Sequence, residues 1–229
     1  MTGPTDAERR GAVIVRAWLL AWAAAVAEQR TWLTDLDAAI GDGDHGINLD
    51  RGLTAVADDL AGPARETETE TGGDLLVAAG RRLLGVVGGA SGALYGRALI
   101  RGGEALCVTP DPATLPAVVL AAAIDAIADL GKAVPGDKTM LDALLPAMAV
   151  LRAAPADEAP AHSCARAATA AGAGADATIP LVASKGRASY LGERSAGHRD
   201  PGAASSVLLL RCLASAYAQM PPDTRPTRP

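Results

Sequence analysis

Residues 37–46 read Asp-Ala-Ala-Ile-Gly-Asp-Gly-Asp-His-Gly, three carboxylates and a histidine set among glycines. A helical pattern running from about Thr31 carries Asp37 on its last turn, and the glycine-rich turn that follows can fold Asp42 and Asp44 back toward it. Three like charges brought together repel unless a cation neutralises them. Hard carboxylate oxygens favour magnesium, manganese or calcium over zinc. Two familiar templates fail. Gly41-x-Gly43-x-x-Gly46 matches a dinucleotide fingerprint by letter, but it follows a helix rather than a strand and carries acids where a pyrophosphate would lie. A calcium loop starting at Asp42 would need glycine where Ile47 stands. The plain alternative is an acidic, solvated turn that caps the helix beginning near His45. His45 and Asn48 stand one turn apart on that helix, within reach of one polar ligand, although a histidine so placed is also an ordinary capping residue.

Three further segments have the composition of anion sites. Gly88-Gly89-Ala90-Ser91-Gly92 precedes an apolar helix expected from about Leu94, so its backbone N–H groups and the Ser91 hydroxyl are free to hold an anion. Close glycine-mediated helix packing is the competing reading. Gly131-Lys132 is followed by Ala133, so there is no Walker A sequence. Pro135 to Met140 reads as a turn into a helix capped at Asp137 or Thr139, with Met140 either padding a flat ligand or filling the core. The segment from Lys185 to Gly202 gathers Lys185, Arg187, Arg194, His198 and Arg199 with few apolar side chains. Asp200 then serves as N-cap and Pro201 as first residue of the last helix. Arginine suits phosphoryl oxygens because it is always charged and binds two at once. A solvated charged loop is the alternative. Only three of the 21 Lys and Arg residues are Lys, namely Lys132, Lys138 and Lys185. All three fall in these segments, which hints at positions that need a compact ammonium. One carboxylate cluster beside helix starts and an arginine loop describes a metal-nucleotide site.

Helical periodicity recurs along the chain: Ile14, Trp18, Trp22, Val26; Leu33, Leu36, Ile40; Leu49, Leu53, Val56, Leu60; Leu141, Leu144, Met148, Leu151. No stretch alternates as a strand would. Breaks at Gly62-Pro63 with the run from Glu66 to Thr71, at Thr109 to Pro112, at Pro135-Gly136 and at Pro155 to Pro160 leave about eight helices. The fold class expected is all-α, an antiparallel bundle or barrel forming one domain over residues 1–220. The proline-rich tail, 221–229, is expected to be disordered.

Of the 229 residues, 49% are hydrophobic but only 3% aromatic, with no Phe, so the core must be built from small and aliphatic side chains packed closely. The formal charge of -5 and the absence of any Lys- or Arg-rich run exclude a phosphate-tracking nucleic-acid surface. Cys107, Cys164 and Cys212 are expected as reduced core thiols. The apolar stretch from Ala17 to Ala27 could pass for a signal peptide. Acidic Asp6 and Glu8 before it and the four-residue repeat within it favour a globular helix instead. No apolar run reaches the length of a membrane span. A cytoplasmic protein with no membrane partner is expected.

The strings Ala39 to Asn48, Gly88 to Gly92 with Leu94-Tyr95-Gly96, Gly136 to Met140 and Lys185 to Gly202 resemble, in order, those of the ADP-binding L subunit of bacterial dihydroxyacetone kinases. The resemblance implies a barrel of eight antiparallel helices with ADP or ATP and two magnesium ions at one end. It implies Asp37, Asp42 and Asp44 as metal ligands. His45, Asn48, Ala90, Ser91, Gly131, Met140, Arg187, Asp200, Pro201 and Gly202 would line the nucleotide, with Arg187 offsetting charge on the moving phosphoryl group. It further implies a separate sugar-binding K subunit as partner, holding dihydroxyacetone or another small ketose such as a tetrulose, and leaves open both the phosphoryl donor, a phosphohistidine phosphocarrier or free ATP, and a regulatory nucleotide-binding module of the same fold. Ala93 stands where the family usually has proline, and Asp50 and Leu53 replace apolar or aromatic residues. None of these is a proposed metal ligand.

Overall fold

Each segment with aliphatic residues at helical spacing forms a helix in the computed structural model, which describes residues 3–61 and 70–220. The helices are α1 (Asp6–Glu28), α2 (Arg30–Ile40), α3 (His45–Ala61), α4 (Gly72–Val86), α5 (Gly89–Val108), α6 (Leu115–Gly131), α7 (Leu141–Arg152), α8 (Pro160–Ala177) and α9 (Pro201–Ala218). A 3-10 segment, Arg187–Ser195, stands between α8 and α9. The described residues contain no strand, as expected. They give nine α-helices rather than about eight, because α1 and α2 are separated by a kink at Gln29 alone. The break expected at Gly62-Pro63 and the tail at 221–229 lie outside the described residues.

Short connections force neighbours in sequence to pack antiparallel. From α4 to α9 each helix packs on the next, and α1 closes the ring by packing on α9, α3 and α4. The stripe of Ile14, Trp18, Trp22 and Val26 is buried as expected. Trp18 Nε1 donates to the Leu209 carbonyl of α9 at 2.8 Å, and Trp22 meets Tyr95 of α5 edge to face with centroids 5.1 Å apart. By length and hydropathy alone α1 would be able to cross a membrane, which corrects the expectation that no run is long enough. Its apolar stripe, however, is a wall of the core.

The small residues work as composition foretells. A Cβ built on Gly80 of α4 would stand 2.6 Å from the Gly96 carbonyl oxygen of α5, and one on Gly103 would stand 2.6 Å from that of Gly73. The two helices therefore touch backbone to backbone. Cys164 and Cys212 are buried, but Cys107 is exposed, contrary to expectation. It follows buried Leu106 on the last turn of α5 and so turns away from the core.

The antiparallel order brings the C-termini of α2 and α6 and the N-termini of α3, α5, α7 and α9 to one end of the barrel. That end holds every polar segment singled out in the sequence.

Candidate nucleotide and metal site

Asp37 lies on the last turn of α2, and its Oδ2 accepts from the backbone N–H groups of Asp44 at 2.9 Å and His45 at 3.2 Å. One buried carboxylate thus caps α3 and folds the intervening loop over itself. Gly43 makes the turn possible with a φ of +71°, a left-handed backbone that only glycine adopts freely. Each of Asp37, Asp42 and Asp44 offers a carboxylate oxygen, and these lie within 4.8 Å of one another. The donor set is all hard oxygen, which fits a magnesium-like cation and not zinc. Arg187 Nε sits 3.1 Å from Asp42 Oδ2 and partly balances the cluster.

Beside the acids opens a cavity of about 320 Å³. On one side stand Asp37, Asp42, Asp44, Lys185 and Arg187. Gly89, Ala90 and Ser91 face it from the first turn of α5, and Pro201 and Gly202 from the first turn of α9. The α5 start leaves backbone N–H groups without helical partners, and at the α9 start, where Pro201 has no N–H and Ala203 N and Ala204 N bond Asp200, the Gly202 N–H remains; both starts carry partial positive charge, the setting that holds phosphoryl oxygens. Ile40, Leu94, Ile127, Leu130 and Met140 form the apolar wall. The cavity is therefore lined both by charged groups and helix starts and by apolar side chains.

The expected helix start near Leu94 is corrected to Gly89, since the glycine run itself becomes the first turn of α5. Thr139, one of the two caps foreseen for α7, accepts from Leu141 N through its Oγ1 at 3.3 Å. The Asp142 carboxylate accepts from Thr139 N at 2.8 Å and Gly136 N at 2.6 Å, while Asp137 Oδ2 holds Val134 N at 2.8 Å. Asp200 caps α9 as foreseen, accepting from Ala203 N at 2.7 Å. Burial pushes its carboxyl up to about 7, although the Ala203 N–H and the Lys138 ammonium pull the other way.

Behind the cavity lies a layer of buried polar groups. His45 Nε2 is 2.9 Å from Ser205 Oγ, which is 2.7 Å from the Tyr95 hydroxyl. Burial lowers the His45 pKa against the opposing pull of Asp37 and Asp44, and burial raises Tyr95 to about 12. Lys138 is 1% exposed. Its ammonium donates to the carbonyls of Thr178 at 2.7 Å, Leu181 at 3.1 Å and His198 at 2.5 Å. The turn before α7 is thereby tied to the whole connection between α8 and α9. Burial lowers the Lys138 pKa, with Asp200 opposing. Ser195, also buried, accepts from Ala183 N at 2.9 Å and closes the same connection.

Of the residues foreseen for the site, Asp37, Asp42, Asp44, His45, Ala90, Ser91, Gly131, Met140, Arg187, Asp200, Pro201 and Gly202 all line the cavity. Asn48 does not; its Oδ1 accepts from Arg51 at 2.9 Å on the side of α3. Met140 is both core and cavity wall. Arg199 pairs with Asp176 and lies over the Trp32 ring, 6.0 Å from its centroid, so it braces the loop rather than serving an anion. His198 contributes its carbonyl to Lys138. The roles of Lys138, Tyr95 and Ser205 were missed. The scarcity of lysine marked Lys138 without showing its task, and nothing in sequence joins Tyr95 to a serine 110 residues away.

The DAK2 domain profile matches residues 39–215. The chain is 41% identical over 195 residues to the ADP-binding subunit DhaL of PEP-dependent dihydroxyacetone kinase 2 of Listeria innocua, covering 83% of this chain and 88% of that subunit. It is 39% identical over 222 residues to the D-erythrulose kinase of Mycolicibacterium smegmatis, covering 93% of this chain and 38% of that longer enzyme. Among solved structures, it superposes with a TM-score of 0.68 on the dihydroxyacetone kinase of C. freundii in complex with AMP-PNP and Mg2+. That match has 26% identity and covers 94% of this chain and 35% of the other. With the helical barrel and the carboxylate-lined cavity at its end, the match over most of its length shows that the chain belongs to the DAK2 domain family.

Proposed function

We propose that this protein is the nucleotide-carrying subunit of a dihydroxyacetone kinase, which holds ADP or ATP with magnesium and passes the γ-phosphate to a small ketose on a separate sugar-binding subunit. The observation that carries the reading is the meeting of three carboxylates, within 4.8 Å of one another, with two helix starts and an apolar wall in one cavity. Asp37, Asp42 and Asp44 hold two magnesium ions, and the first turns of α5 and α9 hold phosphoryl oxygens. The metal supplies charge neutralisation of the phosphate chain.

The chain's own residues do the rest. Arg187, at the mouth beside Asp42, meets the negative charge that shifts as the phosphoryl group leaves. The apolar wall with Met140 orients the base and excludes water around it. Transfer is in line and needs no covalent intermediate on this chain. The Listeria relative is the ADP-binding subunit of a PEP-dependent kinase; the donor proposed to recharge bound ADP is a phosphohistidine phosphocarrier, with free ATP as the alternative. The three unpaired cysteines suit the reducing cytoplasm. Because a D-erythrulose kinase shares this domain at 39% identity, a tetrulose is the second reading of the acceptor. The sugar is held elsewhere, so the residues described here serve either.

The test is to purify the protein without added nucleotide, denature it and quantify released adenine nucleotide, comparing wild type with Asp42→Ala. Near-stoichiometric ADP in the wild type and its loss in the variant is expected. Absence of bound nucleotide together with no magnesium-dependent ADP binding on titration would overturn the reading.

A further inference from the structure

We infer that Tyr95 and Ser205 are positioning residues that hold His45 in its Nδ1–H tautomer, so that the ring presents a hydrogen-bond donor to a phosphoryl oxygen in the cavity. The ligand half of this inference rests on the function proposed above; the tautomer half does not.

The argument is an assignment of protons. The Tyr95 hydroxyl has three acceptors in reach: Ser205 Oγ at 2.7 Å, Ser206 Oγ at 3.1 Å and the Gly202 carbonyl at 3.4 Å. The shortest and best is Ser205. Ser206 donates to the Gly202 carbonyl at 2.8 Å. Ser205, already accepting from Tyr95, has one proton of its own to place. Its choices are His45 Nε2 at 2.9 Å and the Gly202 carbonyl at 3.1 Å. The carbonyl is engaged by Ser206 at the shorter distance, and an imidazole nitrogen is the stronger acceptor. The proton goes to Nε2. A neutral imidazole that accepts at Nε2 carries its hydrogen on Nδ1.

The consequence is a one-way chain, Tyr95 O–H to Ser205, Ser205 O–H to His45 Nε2, and His45 Nδ1–H outward. Its inner end is fixed, since Tyr95 is buried against Trp22, and Ser205 and Ser206 are completely buried. Its outer end is a residue that lines the cavity. The opposite tautomer would aim a lone pair at an anion and repel it.

Histidine-labelled protein, full length and freed of nucleotide, gives the test by long-range 1H–15N correlation at pH 8. The three histidines are assigned with His162→Gln and His198→Gln. The expected result is a His45 with bare Nε2 and protonated Nδ1. Ser205→Ala shifts the ring toward Nε2–H and weakens magnesium-dependent ADP binding about tenfold, the loss of one well-placed donor. Tyr95→Phe acts in the same direction but less. A protonated Nε2 in the wild type, or a tautomer indifferent to Ser205→Ala, overturns the inference. An Nδ1–H tautomer in a wild type that binds no ADP removes the nucleotide reading and with it the phosphoryl ligand, while the positioning stands.

Discussion

Arg187 and Asp42 face each other across the mouth of the cavity, Nε 3.1 Å from Oδ2, joining the connection before α9 to the loop before α3. The arginine therefore competes with any cation for that carboxylate. Arg187→Ala is expected to bind Mn2+ alone several-fold more tightly, measured by calorimetry, while phosphoryl transfer falls by about 10²-fold or more. Its unfolding free energy should move by less than about 1 kcal/mol, since an exposed ion pair stabilises little. Tighter metal binding with unimpaired turnover would remove Arg187 from the chemistry.

Lys138 gathers four backbone carbonyls around one buried ammonium, those of Thr178, Leu181 and His198 closely and that of Ile179 at 3.4 Å. Lys138→Met keeps the stem but leaves those acceptors without their charged donor. Each buried, unsatisfied polar group costs about 1–3 kcal/mol. A loss of roughly 3 kcal/mol or more in urea unfolding is expected, along with increased hydrogen exchange in residues 178–200. A loss within about 0.5 kcal/mol would show that water replaces the ammonium.

Asp200 provides the pH dependence. Burial lifts its carboxyl from 3.8 to about 7 in the fold, so the unfolded chain gives up the proton first. The stability this group contributes is full below about pH 4 and is lost as pH rises through 7. Asp200→Asn keeps an oxygen for the Ala203 N–H and cannot ionise. In protein stripped of nucleotide and magnesium, the variant should gain on the wild type from pH 4 to 7, by up to a few kcal/mol, and level off above. Parallel stability curves from pH 4 to 8 would show that Asp200 ionises normally.

The α4–α5 contact predicts opposite signs for two Gly→Ala changes within helices. Gly80→Ala puts a Cβ 2.6 Å from the Gly96 carbonyl oxygen, and separating the two backbones should cost about 1–3 kcal/mol. Gly172, inside α8, has nothing within 4 Å of the added carbon. Gly172→Ala should stabilise by about 0.5–1 kcal/mol through helix propensity. Thermal melts of the two variants decide it.

Much of the site was legible because its chemistry is local. Asp37, Asp42 and Asp44 lie within eight residues, so the turn that joins them and the helix that follows could be read from glycine and carboxylate positions. The same holds for Asp200-Pro201-Gly202, where the cap, the first turn and the Gly202 N–H are neighbours in the chain. Arg194, His198 and Arg199 looked equivalent to Arg187 because sequence shows charge but not direction. Only Arg187 of these four lines the cavity, while Arg199 turns to Asp176 and Trp32. Asn48 sits one turn past His45, yet its side chain is held by Arg51.

By itself the sequence determined the helices, their antiparallel packing as a bundle or barrel and the acidic cation cluster, because periodicity, capping and short-range charge act between residues near in the chain. Tertiary structure alone decided the buried polar layer. Lys138 meets carbonyls 40 to 60 residues away, and His45 meets Ser205 across 160. Such partners are chosen by which end of the barrel each helix start and each connection comes to occupy. No local pattern encodes either, since a buried donor needs an acceptor and the chain does not say which turn will bring one.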